Sequence, residues 1–137
     1  MLGEIEAAGK RERERVVLAD MEAGLGTLSR MQEGHVDHVL VVADATPKAL
    51  EVARRAVEMA RGHNVGRALV VANRIRTTAD LDMVRQALPN EQVIVVPDDR
   101  AVEDADRIGV APIDYAPDSA AVAAISDLVE TLLGSQA

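Results

Sequence analysis

The sequence predicts an α/β fold with a doubly wound, mostly parallel sheet in a single domain, residues 1–137. Short apolar runs alternate along the chain with segments of helical periodicity. The runs are apolar on both faces, which is typical of strands that helices cover on both sides. The core must be aliphatic, because the chain has one Tyr and neither Phe nor Trp.

Four apolar runs are predicted as buried strands, and each ends at a polar residue or a proline. They cover residues 16–19, 39–43, 68–72 and 93–96, and residues 111–115 are predicted as a short extended piece. The segment before the first strand, 2–13, is predicted as a charged helix, and 21–34 as a loop.

Helices are predicted between and after the later strands from their capping residues and apolar stripes. Thr46-Pro47 opens the first, which Gly62 ends. Thr78 is expected to cap a helix over 79–88, and a short acidic helix over 99–108 stops at Gly109. Asp118 or Ser119 is expected to cap the last helix, which runs to about residue 133.

Asp20, Asp44 and Asn73 directly follow three predicted strands, and Pro97-Asp98-Asp99 follows the fourth. Parallel strands bring their carboxyl ends to one edge of the sheet, where ligands bind in folds of this class. The pattern therefore predicts a binding edge. The alternative stays open, because Asp and Asn also favour strand-to-helix turns without any ligand.

Several segments, taken in order, resemble the MinD/ParA/CooC family of P-loop ATPases. The run D-M-E-A-G at 20–24, after its apolar strand, resembles the second phosphate-side motif and the CooC branch in particular, the maturation ATPases of carbon monoxide dehydrogenase. The strand at 36–42, the A-N-R at 72–74, and the segments V-P-D-D-R-A-V at 96–102 and G-V-A-P at 109–112 resemble later family motifs. The resemblance covers about residues 15–134.

The P-loop of that family has no counterpart in the 137 residues. Ala8-Gly9-Lys10 has no preceding strand, no glycine cluster and no following Ser or Thr, which a phosphate cradle needs. The resemblance therefore implies the C-terminal two-thirds of a MinD/CooC-like domain, an incomplete SIMIBI-type P-loop NTPase fold. No independent ATP hydrolysis is expected. A truncated sequence and a shortened relative are both open explanations.

The resemblance implies ATP or ADP and Mg²⁺ as ligands, and it implies a role for each matching residue. Asp20 would hold the magnesium shell, Gly24 would approach the γ-phosphate and Glu22 would support charge or water there. The adenine edge and the ribose would be contacted by Asn73, Arg74, Pro97, Asp98 and Asp99. The competing roles are a turn-forming Asp, a loop Gly, a surface Glu and helix caps.

Composition excludes several classes of function. The net charge of −8 disfavours binding to nucleic acid or to an anionic membrane. The absence of cysteine excludes zinc-thiolate and iron–sulfur ligation by these residues, and it leaves the cysteine pair of CooC-type proteins without a counterpart. No apolar run approaches the roughly 20 residues of a membrane span, and a cytoplasmic protein is expected.

Three functions remain as hypotheses. The resemblance implies an ATP-binding protein whose intact relatives act as nucleotide-sandwiched dimers in metallocentre maturation or partitioning, with a metalloenzyme client. The alternatives are a non-catalytic interaction module on the same scaffold and an unrelated flavodoxin-like domain. In the resembled fold the P-loop strand lies between the strands matching 16–19 and 39–43. Its absence predicts an incomplete or rearranged sheet that self-associates or accepts a chain supplying the P-loop part.

Overall fold

A computed structural model describes residues 15–21 and 36–134. In these residues three strands alternate with three helices, and two further helices follow. In chain order the elements are β1 (His38–Asp44), α1 (Pro47–Gly62), β2 (Arg67–Ile75), α2 (Thr78–Ala87), β3 (Val93–Pro97), α3 (Arg100–Ile108), α4 (Pro112–Tyr115) and α5 (Ala120–Gly134).

The three strands form a parallel sheet in the order β1-β2-β3, so spatial order follows chain order. Helices α1 and α2 pack on one face, where Leu50 and Val84 meet Val41 and Val70. Helix α5 packs on the other face, against β2 and β3. A parallel sheet with helices on both faces confirms the predicted α/β class.

Local capping signals explain where most helices begin and end. The Thr46 hydroxyl accepts a hydrogen bond from the Ala49 backbone N–H at 3.2 Å, and Pro47 occupies the first turn of α1, as predicted. Gly109 ends α3 with a left-handed φ of 68°, which glycine adopts without a Cβ clash.

The cap of α2 lies one residue earlier than predicted. Thr77, and not Thr78, is the N-cap, because Thr77 has Asp80 three residues ahead and the two form a reciprocal capping box. The Thr77 hydroxyl accepts from the Asp80 N–H at 3.1 Å, and the Asp80 carboxylate accepts from the Thr77 N–H at 3.1 Å.

Two predicted extended segments take other conformations. Residues 16–19 form no strand, and Val16, Val17 and Leu18 are 69%, 45% and 83% exposed. A four-residue apolar run becomes a strand only beside a partner, and the three-stranded sheet of the described residues does not include it. The segment predicted as extended at 111–115 instead forms the one-turn helix α4, with Ala111 at its N-cap. Pro112 fits the first helical position, and the Tyr115 N–H donates to the Ala111 carbonyl at 3.0 Å.

The predicted helix at 2–13 and nearly all of the predicted loop at 21–34 lie outside the described residues. In the part of the chain that is described, no helix has the length and apolar character that a membrane crossing requires.

Candidate functional site

The carboxyl ends of the three strands meet at one edge of the sheet. Asp44, the last residue of β1, is in register with Asn73 of β2. The backbone N–H of Asp98, just after β3, donates to the Ile75 carbonyl at 3.0 Å. We call this edge the carboxyl rim; it comprises Asp44, Asn73, Arg74, Pro97 and Asp98.

A bulge in β2 shapes the centre of the carboxyl rim. Ala72 pairs with Val95 and Ile75 pairs with Pro97, so β2 carries one extra residue between these pairs. Arg74 within the bulge has a φ of 55°, a left-handed conformation that costs a non-glycine residue on the order of 1–3 kcal/mol. Bulges of this kind re-aim side chains and are frequent beside active sites.

The Arg74 guanidinium links the ends of all three strands. Its Nη1 lies 3.9 Å from Asp44 Oδ2, and its Nε lies 3.6 Å from Asp98 Oδ1. Both distances are long for ion pairs, and the Arg74 side chain is 53% exposed. Such contacts are weak in water, so an anionic ligand could compete for this guanidinium.

The segment that follows the bulge is held by stronger contacts. Arg76 Nε donates to Asp98 Oδ2 at 2.8 Å, and this hydrogen bond, with the charge of Asp98, raises the pKa of Arg76 above its ordinary value. The Asp80 carboxylate accepts from the backbone N–H of Arg76 at 2.9 Å, which is the main reason that the pKa of Asp80 is lowered.

Sequence reasoning missed both Arg76 and Asp80 as neighbours of the carboxyl rim. The T-x-x-D spacing of Thr77 and Asp80 was the available signal, because it marks a capping box at the start of a helix. The pairing of Arg76 with Asp98 spans 22 residues of chain and had no local signal.

Asn73 differs from its charged neighbours. It is half-buried, and its side-chain amide makes no hydrogen bond to the residues that the structure describes, while remaining in contact with solvent. An amide both donates and accepts, so this side chain can bind a ligand that presents a donor beside an acceptor.

Asp99 has a structural role that accounts for both of its carboxylate oxygens. Oδ2 accepts from the Ala121 N–H at 2.9 Å, and Oδ1 accepts from the Ala101 N–H at 2.9 Å. These two bonds, the Ala121 bond first, with a smaller contribution from the Ser119 hydroxyl, lower the pKa of Asp99. Asp99 therefore joins the start of α3 to the start of α5, and its contact with a nucleotide stays a prediction.

Of the three residues predicted for phosphate and magnesium, the structure describes only Asp20. Asp20 is exposed in a segment without regular structure, and Glu22 and Gly24 lie outside the described residues. Within 15–21 and 36–134, no three His, Asp or Glu side chains are grouped so as to hold a metal ion. The roles of these three residues stay predictions.

A polar groove of about 420 Å³ lies at the opposite, amino edge of the sheet. Arg61 and Arg67 line it, but each has a neighbour within the groove: Arg61 pairs with Glu91, and Arg67 Nη2 donates to Gln92 Oε1 at 3.4 Å. None of the predicted site residues lines this groove.

The chain is similar to one protein described as ATP-binding. No family model matches the chain. An uncharacterized ATP-binding protein of Methanocaldococcus jannaschii is 30% identical to it over 101 residues, which are 72% of this chain. The chain spans 39% of the length of that relative.

Proposed function

We propose that this chain carries the base-binding side of an ATP-binding domain of the MinD/ParA/CooC type. The similarity to an ATP-binding protein supports nucleotide as the ligand. The bulge at the end of the central strand carries the proposal, because it places an amide without a described protein partner, Asn73, beside a half-exposed cation, Arg74. The parallel sheet and its carboxyl rim are the setting in which such ligands bind.

The carboxyl rim fits a nucleoside better than it fits a polyphosphate. The Asn73 amide can donate to one atom of the adenine edge and accept from the next. The backbone of Pro97 and Asp98 would flank the base or ribose, and Arg74 would face the anionic part of the ligand. A magnesium-bound triphosphate needs several oxygen ligands and a backbone cradle, and the described residues do not fit that group.

The same proposal extends to the role of the bound nucleotide. The bound nucleotide would serve metallocentre maturation, with carbon monoxide dehydrogenase or another metalloenzyme as client, or partitioning. The phosphate-binding part would be supplied by a second chain, and Asp20, Glu22 and Gly24 would face it. The isolated chain would then release no phosphate from ATP, since electrostatic stabilisation by that part is the main source of catalysis.

A non-catalytic interaction module is the second candidate. The observation in its favour is that Asp98 and Asp99 already have protein partners, namely Arg76 and the first N–H groups of α3 and α5. These contacts are also expected if the carboxylates of Asp98 and Asp99 serve only to hold the fold together.

Calorimetry with adenosine and with ATP separates the two candidates. Without a backbone cradle for the phosphates, we expect a dissociation constant near millimolar, equivalent to about 4–5 kcal/mol. Asn73→Ala should abolish this binding, and Asn90→Ala, at the opposite edge of the sheet, should leave it unchanged.

Three results would change the proposal. No adenosine binding, or equal binding by Asn73→Ala, would favour the interaction module. Binding of ATP that is far tighter than binding of adenosine would reveal a phosphate site within this chain. Sustained phosphate release that Asp20→Ala abolishes would contradict the expected lack of hydrolysis.

A further inference from the structure

The Asp98 carboxylate at the carboxyl rim faces two arginines. Its Oδ2 accepts a hydrogen bond from Arg76 Nε at 2.8 Å, whereas its Oδ1 lies 3.6 Å from Arg74 Nε. The first contact has the length of a charge-assisted hydrogen bond, and the second is too long for one. Arg76 therefore holds Asp98, while Arg74 lies beside the same carboxylate without a hydrogen bond to it.

The backbone on both sides of the Arg76–Asp98 bond is fixed. Asp80 Oδ2 accepts from the N–H of Arg76 at 2.9 Å and from the N–H of Thr77 at 3.1 Å. The Asp98 N–H donates to the Ile75 carbonyl at 3.0 Å. Because both partners are attached to the end of β2, little backbone ordering is needed to form the bond between their side chains.

The charges of the carboxyl rim depend on Arg76. Arg74 lies between two carboxylates, 3.9 Å from Asp44 Oδ2 and 3.6 Å from Asp98 Oδ1. Arg76 offsets the charge of Asp98, so these two carboxylates and two guanidinium groups carry no net charge together. Without Arg76 the remaining three side chains would carry a net negative charge, which disfavours an anion at Arg74.

The backbone of Arg74 is typical of a position kept for binding. Its φ of 55° is unfavourable for a residue with a Cβ, and such strain is concentrated at ligand-binding positions. The bulge that imposes it also redirects the side chain. That side chain is 53% exposed, so a ligand can reach the guanidinium.

We propose that Arg76 is a positioning residue, which holds Asp98 and thereby keeps the Arg74 guanidinium available to the 5′-phosphate of a bound adenine nucleotide. The inference rests on the proposed function, because it assumes that the nucleoside binds beside Asn73. Without Arg76, the Asp98 carboxylate would turn to Arg74 and bind it in the two-point geometry that guanidinium and carboxylate favour. The phosphate would then lose its partner.

The first test compares adenosine with AMP in titrations followed by NMR at low ionic strength. One exposed charge contact should let the wild-type chain bind AMP about threefold to fivefold more tightly than adenosine. Arg76→Gln should bring the two dissociation constants to near equality by weakening AMP binding. Its adenosine dissociation constant should stay within about twofold of the wild-type value, because Arg76 acts on the anion alone.

Three further variants separate the positioning role from general damage. Arg85→Gln removes the same charge from an exposed site in the last turn of α2 and should keep the preference for AMP. Arg76→Lys retains the charge and should keep part of the preference. Combining Arg76→Gln with Asp98→Asn should restore the preference, because the carboxylate that captures Arg74 is then absent.

The second test needs no nucleotide. NMR measures how fast the Nε–H of Arg74 exchanges with water, and the signal is identified by its loss in Arg74→Lys. The wild-type exchange should be fast, as expected for a guanidinium without a tight partner. Arg76→Gln should slow this exchange several-fold, because Asp98 then accepts a hydrogen bond from Arg74.

Four results would overturn the inference. Equal binding of adenosine and AMP by the wild type, or an AMP preference that Arg76→Gln retains, would refute it and leave the proposed function in place. The same holds if Arg76→Gln leaves the Arg74 exchange rate unchanged, or if the double variant does not regain the preference. Binding of neither ligand by the wild type would instead refute the proposed function, and this inference with it.

Discussion

Within residues 15–21 and 36–134, the two faces of the sheet differ in how completely helices cover them. On the α1 and α2 face, the buried cluster includes Val41 and Ala43 of β1 and continues across the sheet. On the α5 face, the buried strand residues belong to β2 and β3, and β1 contributes only the partly buried Leu40. Two adjacent valines of one strand, Val41 and Val42, are thus 8% and 61% exposed.

The covering helices show the same contrast. Helix α1 buries four apolar side chains, and Ala49 and Ala56 are partly buried against the same cluster; the four are Leu50, Ala53, Val57 and Ala60. Helix α5 is apolar around most of its circumference, and Ile125, Val129 and Leu133 remain 45–49% exposed. An apolar pattern therefore indicates which residues can be buried, whereas the number of packed elements decides which residues are buried.

The largest expected effect is a difference in unfolding free energy between two alanine variants, one in each of these helices. Leu50 on α1 is 3% exposed, so Leu50→Ala should cost about 2–5 kcal/mol of unfolding free energy. Ile125→Ala on α5 should stay within about 0.5 kcal/mol, because Ile125 is half-exposed. Urea denaturation of both variants measures the difference. Equal losses would show that the α5 face is buried in solution, and the contrast between the faces would be wrong.

A smaller difference in stability is expected when the same substitution is made at each of the two adjacent valines. Val41→Thr buries a hydroxyl in the α1 face and should cost about 1–3 kcal/mol. Val42→Thr places the hydroxyl in solvent and should change stability by less than about 0.5 kcal/mol. Urea denaturation of both variants measures the two losses. An equal loss in the two variants would contradict the difference in burial between Val41 and Val42.

The smallest effect concerns the attachment of α5 through Asp99. The folded protein lowers the pKa of Asp99 below its ordinary value of 3.8, so the ionised carboxylate stabilises the fold above that pH. This stabilisation is lost as the pH falls from about 3.8 through the folded pKa.

Asp99→Asn should therefore melt at a lower temperature than wild type at pH 7, and the two melting temperatures should converge in acid. Thermal unfolding between pH 7 and pH 2 tests this. Asp82→Asn, which removes an exposed carboxylate from α2, controls for the change in net charge. A constant difference between wild type and Asp99→Asn at every pH would contradict the assigned role.

Local signals predicted most of the fold. Thr46-Pro47 and Gly109 mark helix ends through interactions within a few residues, and the structure confirms them. The strand predicted at 16–19 was wrong because a strand depends on a neighbouring strand, which is often distant in sequence. For the same reason, the exposure of Val42 could not be predicted from β1 alone.

The carboxyl rim was predictable as a location and not as a geometry. Strand-end patterns placed Asp44, Asn73, Pro97 and Asp98 at one edge, where the structure has them. The bulge depends on how β3 pairs with β2. No residue type near Arg74 in the sequence predicts that this arginine has a positive φ. The second bond of Asp99 reaches Ala121, which is 22 positions further along the chain, so its role as a joint between two helices required the tertiary structure.

The strand order allows the sheet to fold in the order in which its strands are synthesised. Each new strand pairs with the one made just before it, and ladder partners lie less than about 30 residues apart in the chain. Short separations keep the entropy of loop closure small and favour rapid folding. During synthesis, β2 emerges when β1 and α1 already exist, and β3 emerges when β2 does. The sheet can therefore grow outward from β1 in the direction of translation, without waiting for a later segment to be inserted between strands already formed.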